Sequence, residues 1–464
     1  MNQSAPLSNL QARDIASVLH PYTPLHRLPE TGTLIIERGK GVRVFDTQGK
    51  GYIEGMSGLW CAGLGFDNEE LVEAAAEQLR TLPYYHLFAA RGTEPAIELA
   101  EKLKEIAPVP ISHVFFTSSG SEANDTQVKL AWYMNNALGR PNKKKIISRV
   151  KAYHGVTVMS ASLTGLPYNH KGFDLPVDRV LHTDCPHHYR FGEAGESEEQ
   201  FTQRLVRSLR NMIEREDPDT VAAFIAEPVM GAGGVIVPPA GYYPAVKKLL
   251  DEYDIMLIDD EVINGFGRTG NWWGCQTLDM VPTTISAAKQ MTASYAPLGA
   301  VMVPQHVYDA YVEHSRQIGT FGHGYTYGGH PLGCALGVKA IEIYQRMDIV
   351  GRVRALMPTF EARMRKIADH PLVGEARTCG LMGGVELVAD RKTRRSFDAS
   401  KGVAAQCSAF LQKRGAILRP IGDTVALCPP MVITEAELNE LFDLLDLALD
   451  DTEAWVTKEG LRAA

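Results

Sequence analysis

No stretch of the 464-residue chain approaches the roughly 20 consecutive apolar residues that cross a bilayer, so no membrane-spanning helix is expected. Residues Met1 to Leu10 lack a charged head followed by an apolar run, so they do not read as a secretory signal. Cysteine is sparse. There are seven, an odd number, with no CxxC pair and no regular spacing. That pattern excludes a disulfide framework and predicts reduced thiols in a cytoplasmic setting. Basic runs are missing too. The net charge of −8 is spread along the chain, and Lys143-Lys144-Lys145 predicts a solvated turn, so nucleic acid is not an expected partner. Repeats and low-complexity tracts are absent. No G-x-G-x-x-G opens a helix after the first strand, which argues against a nicotinamide-binding dehydrogenase. The two histidines of "GHGYTYGGHP" (Gly322 to Pro331) match no metal-ligand spacing, and no metal is expected.

What is present is the composition of a globular enzyme, 45% apolar and 22% charged, in a chain too long for one hydrophobic core. Thr33 to Met56 alternates apolar and polar residues around Gly and Asp and predicts a short antiparallel meander. From about Asn68 short apolar strands alternate with helical periodicity. The predicted strands are Val114–Thr117, Lys145–Val150, Val221–Ala226, Ile255–Asp260, Thr284–Ala287 and Gly299–Val303. This is an α/β pattern, a mostly parallel sheet flanked by helices. After Pro331 two long amphipathic helical stretches, with the strand-like "GLMGGVELV" and "TVALCPPMVIT", predict a smaller α+β unit. The expected division is a large domain at 68–335 and a small one built from 1–67 and 336–464.

Parallel sheets collect chemistry at the carboxyl ends of their strands. Here those ends carry Ser119-Gly120-Ser121, Tyr153-His154, Glu227, Asp260-Glu261 and Lys289. In "FFTSSGSEANDT" a strand runs into Ser-Gly-Ser and then a helix, so free N–H groups and a helix dipole can meet a phosphate. Ser119 and Glu122 also have capping-box spacing, and the two roles are compatible. Asp260 closes a buried strand, where a carboxylate must be paired. It is either a structural ion pair or the partner of a protonated pyridine nitrogen. Asp259 beside it faces the other side, and spacing alone does not choose between them. Lys289 is either a snorkelling surface amine or a desolvated imine-forming nucleophile. Tyr153 is either a strand-end aromatic or a stacking partner for a ring.

Taken together, "SSGSEANDT", "KAYHGVT", "AEPVMGAGGV", "LIDDEVINGFGRTGNWWG", "AAKQMTASYAPLGAV" and "HGYTYGGHPLGCA" resemble the class III (ω-) aminotransferases of pyridoxal-phosphate (PLP) fold type I. They occur in family order from about residue 30 to 435. Within that family, "MSGLWCAGLGF", "LPYYHLF" and "LRPIGDTVALCPP" are similar to the amine:pyruvate transaminases.

The resemblance implies a residue-by-residue site. Lys289 forms the internal aldimine with pyridoxal 5'-phosphate and shuttles the proton. Asp260 holds the ring nitrogen, Tyr153 stacks on the ring, and Val262 packs on its other face. Ser119, Gly120 and Ser121 bind the phosphate, Glu227 stands near the ring hydroxyl, and Thr326 reaches the phosphate of the partner subunit's cofactor. Leu59, Trp60, Phe88 and Tyr153 line the substrate pocket. Arg419 pairs with the keto acid's carboxylate and swings away for an apolar amine; without the resemblance it would read as a surface ion-pair residue. The implied activity is ping-pong transfer from a primary amine to a 2-oxo acid, pyruvate, by a homodimer, with a tetramer left open. Aminomutase, racemase or decarboxylase chemistry on the same scaffold is the alternative. Gln290 departs from relatives that have Gly after the lysine.

Overall fold

The computed structural model describes residues 7–462. Fifteen strands form three sheets among them. The meander is present as β1 (Ile36–Lys40), β2 (Arg43–Asp46) and β3 (Gly51–Glu54), all antiparallel. The central strands are β4 (His113–Thr117), β5 (Lys145–Arg149), β6 (Val180–Thr183), β7 (Val221–Ala226), β8 (Met256–Asp260), β9 (Thr284–Ala287) and β10 (Gly299–Val303). The C-terminal strands are β11 (Val373–Cys379), β12 (Met382–Leu387), β13 (Ala416–Ile417), β14 (Arg419–Ile421) and β15 (Thr424–Leu427).

The central sheet runs in the order β4-β10-β9-β8-β7-β5-β6. Pairings from β6 through β9 are parallel, while β10 is antiparallel to both β9 and β4. All six expected strands exist. β6 was not anticipated, because its "VLHT" is short and polar and its burial mixed. In β7, β8 and β9 every residue is buried, as expected of strands covered on both faces.

Side chains alternate across this sheet with period two. Ile225 and Ile258 pack with Val128 and Ala131 of the helix Gly120–Ala137. Phe224 and Leu257 pack on the other face with Phe201, Leu205 and Leu209 of the helix Glu198–Arg215. Continuing the alternation sends Asp260 to the first face and Asp259 to the second.

The two smaller sheets are β1-β2-β3-β13 and β11-β12-β15-β14. β13 adds to β3 in parallel, which ties the N-terminal meander to the C-terminal third. One expectation fails. Lys143-Lys144-Lys145 is no solvated turn: Lys143 is buried and donates to the Tyr253 carbonyl at 2.9 Å, Lys144 donates to Asn136 at 2.7 Å, and Lys145 pairs with Glu216 at 3.0 Å. Long apolar stems let lysines reach internal acceptors from a chain reversal.

Candidate active site

The carboxyl ends of β4, β5, β7, β8 and β9 lie on one side of the central sheet, and the polar clusters gather there. Asp260 is 3% exposed. Its Oδ2 accepts from Asn124 Nδ2 and from His154 Nδ1, both at 2.7 Å, and its Oδ1 accepts from the Val262 N–H at 3.1 Å. Three donors converge on one carboxylate, the hydrogen-bonding pattern an anion requires. His154 Nε2 is buried without a partner, which fits a ring carrying its proton on Nδ1.

Lys289 follows β9, the neighbour of β8, and its backbone is in the left-handed region with φ 49°. Its amine makes no hydrogen bond or ion pair among the described residues. Burial pushes it below the ordinary lysine value, against the opposing pull of Cys61, Asp260 and Glu227. It is therefore no snorkelling surface amine.

Glu227, just past β7, is buried and accepts from the N–H groups of Tyr153 and Gly231, each at 2.9 Å. Burial raises its carboxyl above the usual range. That contact fixes the backbone of Tyr153, whose phenol is raised first by burial and then by Tyr22.

At the start of the helix Gly120–Ala137, the Ser119 hydroxyl accepts from the Glu122 N–H at 3.2 Å. Glu122 reaches one residue further, to the Ser118 N–H at 2.7 Å, so the capping box is displaced rather than closed. Ser121 Oγ accepts from the Val156 N–H at 3.1 Å. A Cβ at Gly120 would lie 2.9 Å from a Val262 methyl, so only glycine lets the helix start and the end of β8 meet this closely.

The outer residues differ. Trp60 is 1% exposed and its Nε1 has no hydrogen-bond partner among the described residues, whereas Leu59 and Phe88 are exposed. A Cβ at Gly324 would touch the Phe88 ring at 2.7 Å, and Tyr84 OH donates to the Thr326 carbonyl at 2.8 Å. Residues 84–88 thus pack on the loop bearing Thr326, itself exposed. Arg419, on β14, makes no side-chain hydrogen bond or ion pair among the described residues. The ion-pair reading of it therefore fails, and its charge acts on both Lys289 and Tyr153.

Residues 27–449 match the aminotransferase class-III family. The chain is a class-III aminotransferase. A γ-aminobutyrate transaminase named as mitochondrial, from Solanum lycopersicum, is 47% identical over 437 residues, 94% of this chain and 85% of that relative. The ω-transaminase of Pseudomonas jessenii in complex with PMP is 50% identical, with TM-score 0.96, covering 97% of this chain and 99% of that one. A thermostable ω-transaminase variant, changed at a tryptophan, a phenylalanine and an arginine for synthesis of enantiopure bulky amines, is 49% identical with TM-score 0.95, covering 96% and 100%. The fold is therefore PLP fold type I, and the aminotransferase uses pyridoxal phosphate.

The aminotransferase's own residues fit that group. A carboxylate with three donors, a helix start and an amine without a partner among the described residues stand at strand ends on one side of the sheet. Three contributors were not anticipated from sequence. Asn124, His154 as a partner of Asp260, and Tyr22 act through side chains distant in the chain, and only the helical position of Asn124, one turn into the helix after Ser-Gly-Ser, hinted at a role. Gln290, the departure visible in the sequence, gains a physical role only from the fold. It is buried, a Cβ at Gly63 would lie 2.1 Å from its Oε1, and Tyr344 OH donates to its carbonyl at 3.0 Å. The residue after the lysine therefore wedges the Lys289 turn against the Trp60–Gly63 segment. Among the described residues no helix is long and apolar enough to cross a membrane.

Proposed function

We propose a ping-pong transamination that moves the amino group of a primary amine or ω-amino compound to a 2-oxo acid, pyruvate. The observation that carries it is the buried Lys289 amine, without a partner among the described residues and within reach of the charges of both Asp260 and Arg419. Pyridoxal phosphate, when bound, supplies the electron sink. Every other task falls to the chain. N–H and hydroxyl groups of Ser119, Gly120 and Ser121 take the phosphate at a helix start. Asp260 holds the ring nitrogen, Tyr153 and Val262 sandwich the ring, and Glu227 stands on its hydroxyl side. Lys289 would hold the cofactor and would move the proton at the donor carbon, a role that suits an amine whose burial favours the neutral form.

Leu59, Trp60, Phe88 and Tyr153 form the pocket for the donor's side chain, and Arg419 takes the acceptor's carboxylate by a bidentate pair. The bulky-amine variant supports this, since its three changed residues are spaced along its chain as Trp60, Phe88 and Arg419 are here. The enzyme works as a homodimer, or a tetramer built from it, with Thr326 reaching the partner subunit's site. Exposed Leu59, Tyr84, Tyr85, Phe88 and Tyr327 around Thr326 support a face that another copy covers. We further propose the division into a domain at 68–335 and one from 1–67 with 336–464, supported by the β3–β13 pairing. The compartment is reducing, the cytoplasm, in keeping with seven free thiols.

The test is a donor panel with PLP-loaded protein and pyruvate, reading alanine. It includes phenylethylamine and, because of the curated relatives, γ-aminobutyrate. Alanine should accumulate with phenylethylamine, and Lys289→Ala should cut its formation at least about a thousandfold. Donor consumption that needs no keto acid would instead favour the aminomutase, racemase or decarboxylase alternative. Unchanged acetophenone release by the Lys289→Ala protein would sink the proposal.

A further inference from the structure

Three carboxyl groups follow one another at the end of β8, and the mechanism uses only the middle one. Asp259 and Glu261 share the opposite face, are 0% exposed, and form no ion pair among the described residues. Their oxygens and the Cys275 thiol lie within 4.8 Å of one another. We propose that Asp259 is a neutral acid lending its proton to Glu261, and that this dyad is a positioning device for Asp260 and Val262.

The hydrogen bonds decide where the proton sits. Glu261 accepts from the Cys275 N–H at 2.7 Å and from the Gly274 N–H at 3.0 Å, the pattern of a carboxylate. No backbone or side-chain donor of the ordinary kind reaches either oxygen of Asp259. An ionised Asp259 would be a second uncompensated anion beside Glu261, with only the thiol of Cys275 to soften it. Asp260 on β8, the phenol of Tyr243 and the thiol of Cys379 also bear on the pair, and the buried Arg149 guanidinium beside Tyr243 donates instead to the Tyr243 hydroxyl and the Glu227 carbonyl. Burial raises both acids, and the Glu261 charge raises Asp259 further.

The dyad acts on the active site through the chain. Glu261 gathers the N–H groups of Gly274 and Cys275, so the loop from Val262 to Trp273 must return to the strand end it left. Gly265 N–H closes the same loop on the Glu261 carbonyl at 3.0 Å. Val262 begins that loop and donates to Asp260, so the clasp on one face of β8 sets the cofactor-side residues on the other.

The test has two arms. In cofactor-free protein at mildly alkaline pH, the infrared spectrum of the parent should show the carbonyl stretch of a protonated acid that Asp259→Asn removes. In the PLP-loaded enzyme, Asp259→Asn keeps a donor to Glu261 and removes no charge. Its PLP dissociation constant should stay within about twofold, and the pH midpoint of its cofactor absorbance should not move, whereas Asp259→Leu should weaken PLP about tenfold. Persistence of the infrared band in Asp259→Asn would overturn the proposal. So would a midpoint falling by about a unit, since losing a true anion beside the site disfavours the protonated, positive form. Stoichiometric metal that Asp259→Asn loses would also overturn it. The infrared arm is independent of the role given to Asp260, so failure of that reading leaves it standing.

Discussion

Asp260 and Arg419 both lie close enough to Lys289 for their charges to act on it, yet their surroundings are opposite. Asp260 is buried and takes three donors from its own chain at 2.7 to 3.1 Å. Arg419 is half-buried and has no partner among the described residues. The same division runs through the neighbours: Glu227 is fastened by two N–H groups, while Leu59 and Phe88 stand exposed. A cofactor is the same in every turnover, so its half of the site can be set in advance by hydrogen bonds that cost no reorganisation. On the proposed reading two substrates of different polarity would use one pocket in turn, and the groups free to pair or withdraw in the other half suit that.

That contrast can be broken first at its inner side. Asp260→Asn keeps the shape but removes the anion, and kcat for the amine half-reaction should fall roughly a hundredfold or more in single-turnover absorbance measurements. A drop no larger than that of a surface control would remove Asp260 from its assigned role. On the outer side, Arg419→Ala should raise the KM for pyruvate about 10- to 100-fold, the worth of a charge-assisted bidentate pair, and leave the KM for an uncharged amine nearly unchanged. Equal losses for both substrates would mean that Arg419 is structural.

The smallest effect probes the inner residue that has no partner. Lys289 has a lowered value in the fold, so between that value and 10.5 the unfolded chain binds the extra proton and folding stability rises with pH. Lys289→Met should therefore raise the melting temperature of the cofactor-free protein by a few degrees at neutral pH. The gain should fade as the pH approaches 10.5, where the lysine is neutral in both states. A gain independent of pH would assign it to packing rather than desolvation.

Periodicity made the central strands legible because β7, β8 and β9 are short apolar runs between helices, and the sheet needs that pattern whatever else the chain does. It missed β6, where edge position relaxes the demand for apolar residues, and the antiparallel turn of β10, because periodicity carries no direction. The same limit applies within the site. Lys289, Asp260 and the Ser-Gly-Ser helix start could be marked because each terminates a strand. Asn124, Tyr22 and the pairing of His154 with Asp260 could not, because these roles depend on distances across the fold. Lys143 was misread for that reason: its acceptor, the Tyr253 carbonyl, is remote in sequence.

By itself, then, the order of residues determined the six apolar strands of the sheet, their ends and the chemical groups placed at them, since all three follow from local alternation and spacing. Which oxygen of which acid meets which donor was decided only in three dimensions. The end of β8 and the residue after it carry three acids in a row, and alternation could say only that the middle one faces away from its neighbours. Packing against the helix Gly120–Ala137 on one face and against Cys275 on the other assigned them different work, because hydrogen bonds form over a few ångströms of space and not along the chain.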